Sequence, residues 1–151
     1  MAGKIKAVIV DTYALMADLT SQATPVAARI LDSIRLGIIK GIIHYFIVYE
    51  LSYHWMKGHL PFHDEKELME FINTYFNIHD LDPGLAIEAS RIKLHGDRLL
   101  RSAGEKELRH RKLSVCDSTT IALAKRLNTP IVTGDKDLTY VAREMGVKVL
   151  W

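Results

Sequence analysis

The chain has 151 residues, of which 48% are hydrophobic and 25% charged, with a net charge of +2 at neutral pH. Those values suit one globular domain with a real core, and they exclude a disordered segment or a uniformly basic nucleic-acid binder. The single cysteine, Cys116, rules out an internal disulfide and suits a reducing cytosol. No apolar run approaches the roughly 18 residues of a membrane helix or forms a signal-peptide core, so a cytoplasmic location without a membrane partner is expected.

Lys4–Val10 reads as a buried strand, a near-continuous apolar run that ends at Asp11. Pro25–Leu36 is expected to be a helix: Thr24 suits the cap, Pro25 the first turn, and Ala27, Ile30, Leu31 and Ile34 share a stripe before Gly37. Ile38–Phe46 reads as a short strand or extended piece. A helix from about Ile47 to Lys57 follows, stopped before Gly58. Glu65–Tyr75 is a further helix, with Leu68, Met69, Phe71 and Ile72 on its apolar side. Asn77–Leu81 suits a short strand, and Asp82-Pro83 opens a helix to about Leu94.

Arg98–Lys112 is basic and weakly periodic, as expected of a solvated arm or a helix extension. Ser114–Leu127 is the clearest amphipathic helix, ended by Asn128 and Pro130. Ile131–Thr133 reads as a short buried strand that runs into Gly134-Asp135. Asp137–Met145 is helical, with Gly146 after it, and Val147–Trp151 is a last strand. Short apolar strands alternating with helices imply an α/β fold with a parallel sheet.

In an open α/β sheet, ligands gather at the carboxyl ends of the strands. Asp11 follows Ala7-Val8-Ile9-Val10, and Asp135 follows Ile131-Val132-Thr133-Gly134, so both are pushed from apolar strands onto that rim. Glu50 and Asp117 sit inside apolar helical segments, where a solvated charge is not expected. If those helices start at the same rim, all four acids converge. Two carboxylates about 4 Å apart repel by roughly 4 kcal/mol at an effective dielectric of 20. Such a cluster needs shifted pKa values or a bound cation. Oxygen donors select Mg²⁺ or Mn²⁺, and the lack of a thiolate cluster argues against structural zinc.

Each signal also has an ordinary explanation. Asp11 suits a turn or cap, Glu50 a surface ion pair, Asp117 a helix cap, and Asp135 a Gly-Asp turn. Asp137 suits the cap of the helix that follows it. Cys116, in an apolar helix, reads as packing rather than as a nucleophile. His54, His59 and His63 lie close together but lack the spacing of a zinc hydrolase, and Pro61 breaks any shared helix. Arg98, Arg101, Lys106, Arg109, Arg111 and Lys112 form either a solvated face, with Glu105 and Glu107 interspersed, or a phosphate-binding flank for RNA. Tyr13, Tyr49 and Trp55 suit core packing or base stacking.

The segments Val8-Ile9-Val10-Asp11-Thr12, Ser114-Val115-Cys116-Asp117-Ser118 and Thr133-Gly134-Asp135-Lys136-Asp137, with Glu50 in an apolar helix between the first two, resemble the motifs of the PIN domain family. Their order and spacing match across nearly the whole chain, which at this size is similar to the VapC toxins of toxin–antitoxin pairs. The resemblance implies a three-layer α/β/α sandwich with a parallel sheet of four or five strands, forming a single PIN-like domain over residues 1–151. It implies a metal-dependent endoribonuclease that uses Mg²⁺ or Mn²⁺, acts on RNA, is restrained by a cognate antitoxin and is a homodimer. Asp11, Glu50, Asp117 and Asp135 match the family's catalytic, metal-binding quartet. Thr133 matches its hydroxyl residue beside the last acid, and Asp137 a further acidic position. Thr12 and Ser118, each following an acid, are candidates for hydrogen bonds in the site.

The chain departs from the pattern at Leu138, where an aromatic is common, at Gly134, where many VapC-like members carry Arg, and in the length of its basic stretch. The alternatives are an RNA-processing PIN nuclease outside a toxin system and a catalytically silent PIN-like module that binds RNA or protein. Retention of all four acids disfavours the silent module. A phosphatase with Asp11 as nucleophile lacks the second aspartate that its motif requires, because Tyr13 stands there.

Overall fold

Alternate residues of the first strand belong to different cores. In the structure, a computed structural model that describes residues 3–151, Ile9 of β1 (Ala7–Val10) joins one buried cluster while Val8 and Val10 join another. Successive strand side chains point to opposite faces, so a continuous apolar run must be covered on both sides.

The chain continues through α1 (Thr12–Leu19), α2 (Pro25–Arg35), β2 (Lys40–His44), α3 (Tyr45–Met56), α4 (Glu65–Tyr75) and β3 (Phe76–His79). It then forms α5 (Pro83–Arg101), α6 (Lys106–Arg109), α7 (Val115–Leu127), β4 (Ile131–Val132), α8 (Lys136–Glu144) and β5 (Val149–Leu150). The strands lie in the order β3-β2-β1-β4-β5, and every pairing is parallel.

One face of the sheet (Ile9, Ile42, Ile131, Val149) packs against α5, α7 and α8 through residues such as Leu85, Ile92, Leu123 and Val141. The other face (Val8, Val10, Ile43, Val132) packs against α1 to α4 through Leu15, Leu31, Leu51 and Ile72. This is the three-layer α/β/α sandwich with a five-stranded parallel sheet. From β1 the chain adds β2 and β3 on one side and returns to place β4 on the other. That reversal makes the carboxyl ends of β1 and β4 the crevice in which such folds bind ligands. Val10 is in register with Val132, so Asp11 and Thr133 leave the sheet side by side.

Several boundaries differ from the sequence reading. Helix α1 was not expected. It starts directly after β1 because Asp11 ends the strand and caps the helix, and its buried Thr12, Ala14, Leu15 and Ala17 leave no clear polar stripe. Helix α3 starts at Tyr45 rather than near Ile47, because its cap is the unusual residue His44. Helix α5 runs on to Arg101 rather than stopping near Leu94. Gly96 lies inside it, where a Cβ would stand 3.0 Å from Leu113 and 3.1 Å from Val141, so the glycine permits close packing rather than ending the helix. The basic stretch is divided between the end of α5, the short α6 and the loop before α7.

His44 links the two helices that carry Glu50 and Asp117. It is fully buried, and its Nδ1 accepts a hydrogen bond from the Phe46 N–H at 3.2 Å. The proton therefore sits on Nε2, which donates to the Thr120 hydroxyl at 2.8 Å, and that hydroxyl donates to the Cys116 carbonyl at 3.0 Å. Burial, with His79 nearby, holds the imidazole neutral by pulling its pKa down to about 4.

Candidate active site

Asp11, as cap of α1, is buried at the sheet's carboxyl edge. Its Oδ2 accepts from the Tyr13 N–H at 3.3 Å and from the Thr133 hydroxyl at 2.9 Å. The same Thr133 oxygen accepts from the Asp135 N–H at 3.1 Å, so one buried hydroxyl ties the two strand-end acids together. Asp135 caps α8, with its Oδ1 accepting from the Leu138 N–H at 2.9 Å. The Thr12 hydroxyl donates to Glu50 Oε1 at 2.7 Å and holds the α3 carboxylate against α1. Asp117 lies in the first turn of α7, where Ser114 is the cap and accepts from the Asp117 N–H at 3.0 Å. Capping of α7 by Ser114 leaves the Asp117 carboxylate free of capping duty and on the cleft wall, with the Ser114 side chain beside it.

The four carboxylates line one cleft of about 320 Å³. Three of them stand at helix N-termini, whose partial positive charge favours anions. That help is insufficient. Burial, reinforced by the charges of Asp135 and Glu50, pushes the Asp11 pKa up to about 7 even though Thr133 opposes the shift. Burial, then the charges of Asp11, Asp135 and Glu50, pushes Asp117 up to about 9. Carboxyls that keep their protons for want of a counter-charge are a donor set that fits a hard divalent cation such as Mg²⁺ or Mn²⁺.

Donor atoms of Asp11, Glu50 and Cys116 lie within 4.8 Å of one another. The Cys116 thiol is pushed far above its ordinary range by burial and then by the Glu50 and Asp11 charges. It stays protonated, and the oxygens remain as ligands.

The structure separates the other sequence candidates. Thr12 and Thr133 bond to acids, as described. Ser118 is buried and donates to the Val115 carbonyl of its own helix at 2.9 Å. Asp137 lines the cleft, but its two oxygens accept from Arg111 Nε at 3.2 and 3.0 Å. Arg109 donates to the carbonyls of Ala103 and Gly104 at 2.7 and 3.1 Å. Arg98 and Arg101 are exposed in the last turns of α5 and do not line the cleft, whereas Lys112 does.

Among the aromatics, Trp55 donates its indole N–H to the Phe62 carbonyl at 2.7 Å and is a packing residue. Tyr49 is 70% exposed. Tyr13 lies on the cleft wall and meets Trp151 edge-on, with ring centroids 5.5 Å apart.

His54 also lines the cleft, a role not assigned to it from sequence. The available signal was its spacing of four from Glu50, which puts both on one helical face. Its Nδ1 is buried and unpaired among the described residues. No described histidine belongs to a group with metal-binding spacing.

Solved structures with a similar fold include PAE2754 from Pyrobaculum aerophilum, with a TM-score of 0.61 and 18% identity over 96% of this chain and 90% of that one. The sarcin–ricin loop cleaving toxin VapC20 of Mycobacterium tuberculosis aligns with a TM-score of 0.59 and 14% identity, over 87% of this chain and 92% of the toxin. VapBC2 from Rickettsia felis, bound to a DNA fragment from their promoter, aligns with a TM-score of 0.61 and 13% identity, over 95% of this chain and 96% of that one. At these identities the likeness is one of fold. No curated protein sequence matches the chain. No described helix is long and apolar enough to cross a membrane. The PIN domain family model matches residues 8–144, nearly the whole length, and the chain therefore belongs to the PIN domain family.

Proposed function

We propose that the chain is a Mg²⁺- or Mn²⁺-dependent endoribonuclease, acting as a single PIN domain over residues 1–151 and as the toxin of a VapBC-type pair. The observation that carries this reading is the meeting of Asp11, Glu50, Asp117 and Asp135, from four separate elements, in one cleft. The proposed partners are a cytoplasmic RNA substrate, a cognate antitoxin and a second copy of the chain. A VapC toxin that cleaves the sarcin–ricin loop and a VapBC assembly have a similar fold, which supports that context.

Asp11, Glu50, Asp117 and Asp135 would hold a divalent cation, which would supply Lewis-acid chemistry toward a water and the phosphodiester. Thr133 holds Asp11 and Asp135 in register, and Thr12 orients Glu50. The site thus presents oxygens whose mutual repulsion favours cation binding over proton binding as pH rises. Defined RNAs incubated with Mg²⁺, Mn²⁺ or EDTA test the reading. Cleavage should require a divalent ion and fall at least about a hundredfold in Asp117→Asn, on the scale of losing a group that acts in the transition state. Equal cleavage in EDTA, or by the variant, would remove it.

A further inference from the structure

An acidic cleft repels the phosphate backbone it is proposed to cut, so positive charge must be held at its rim. Among the described residues, Lys112 is the only lysine or arginine that lines the cleft. It is exposed, and both of its neighbours are anchored. On one side, Arg111 Nε reaches both Asp137 oxygens at 3.2 and 3.0 Å. On the other, Leu113 is fully buried, its N–H donates to Asp97 Oδ1 at 2.8 Å, and its carbonyl accepts from Lys93 Nζ at 2.6 Å. Lys93 and Asp97 are themselves 3.2 Å apart. The chain is therefore held on both sides of Lys112, by the Arg111 side chain and its N–H bond to the Leu108 carbonyl before it and by the Leu113 backbone after it, while Lys112 itself lines the cleft. Arg109, by contrast, is occupied by main-chain carbonyls.

We infer that Lys112 is the residue that contacts the RNA backbone phosphate at the acidic cleft, and that Arg111 is a positioning residue that aims it through Asp137. This rests on the nuclease reading and divides the basic stretch into one contact and its supports. A clamped lysine loses less freedom on binding than one on a mobile arm. Arg111 holds Asp137 through one Nε–H shared between the two carboxylate oxygens, and the phosphate contact suits Lys, a compact point charge.

The test is binding of a fluorescein-labelled single-stranded oligoribonucleotide, read by anisotropy in EDTA across a salt series. Lys112→Met should weaken binding about three- to tenfold and reduce the slope of log K against log salt by about 0.7, the value of one lost single-strand phosphate contact. Its thermal melt should match wild type, because the side chain is exposed. Arg111→Met should weaken binding less, and should add nothing in the Lys112→Met background. Arg111→Lys, which keeps the charge, should retain the wild-type slope. Lys148→Met, at the amino end of the sheet, should bind as wild type. Unchanged affinity and slope in Lys112→Met would overturn the assignment. Multiplying effects of the two substitutions would make Arg111 a direct contact and overturn its positioning role. RNA bound through Lys112 but left uncut by wild type with Mg²⁺ or Mn²⁺ would remove the nuclease reading and leave this contact standing.

Discussion

One hydroxyl group, that of Thr133, donates to the buried Asp11 carboxyl and accepts from the Asp135 backbone. Thr133→Val preserves the shape and removes both bonds, leaving the buried Asp11 acceptor and the half-buried Asp135 N–H short of partners. Unmet buried groups cost about 1–3 kcal/mol each, so the variant should lose about that much stability in urea unfolding and at least about tenfold in RNA cleavage. Thr133→Ser restores the hydroxyl and should recover most of both losses; a valine variant as stable and active as wild type would show that the link does nothing. The acids were legible in the sequence because each interrupts an apolar segment. Asp11 also performs the capping that was its ordinary explanation, and Asp135, read as a turn residue, caps α8 in place of Asp137, so cap and cleft duties coexist in one side chain. The pairing of Asp137 with Arg111 was not legible. The residues are distant along the chain, and only folding brings α8 against the loop before α7.

An amphipathic stripe and an ordinary cap coincided in α2 with Thr24; α7 kept its expected bounds and Ser114 as cap, but Ser118 to Ala124 are all buried, so it is covered nearly all round rather than along one stripe. Elements escaped where tertiary packing replaced those signals: α1, which lies between strand and neighbouring helices, and α3, capped by a fully buried histidine. The turn from β4 into α8 was visible as Gly134-Asp135, but the reason for the glycine was not. A Cβ at Gly134 would lie 2.6 Å from Tyr13 and closer still to Trp151, so the edge-on aromatic pair occupies the space a side chain would need. Gly134→Ala should therefore destabilise the fold by about 1–3 kcal/mol in urea unfolding, the usual cost of overpacking. In a Trp151→Ala background the same substitution should cost less, because the nearest obstacle is gone. Equal costs in both backgrounds would place the strain elsewhere.

At the scale of the whole molecule, the parallel order β3-β2-β1-β4-β5 concentrates negative charge at one end of the sheet. The sequence indicated which strands exist and that they run parallel. It did not indicate their order, which depends on how the two apolar faces share the helices. The consequence is a pH dependence with a definite sign. Asp11 and Asp117 have pKa values raised from 3.8 to about 7 and about 9. From about pH 4 upward the folded chain holds protons that the unfolded chain has released, so these groups lower stability as pH rises through their folded values. His44, lowered from 6.5 to about 4, acts oppositely: its contribution is present above pH 6.5 and is lost as pH falls toward 4. The two effects oppose each other below pH 6.5, and only the acids act above it. In EDTA the melting temperature should therefore decline from about pH 6.5 to 9, and Asp117→Asn should flatten that decline. Saturating Mg²⁺, at about a hundred times its Kd, should raise stability by about 2.7 kcal/mol. At a fixed subsaturating Mg²⁺ concentration the rise in melting temperature should be larger at pH 8.5 than at pH 6, because at higher pH fewer protons have to be displaced from the ligands. An equal rise at both pH values would show that the ion binds somewhere other than these carboxyls.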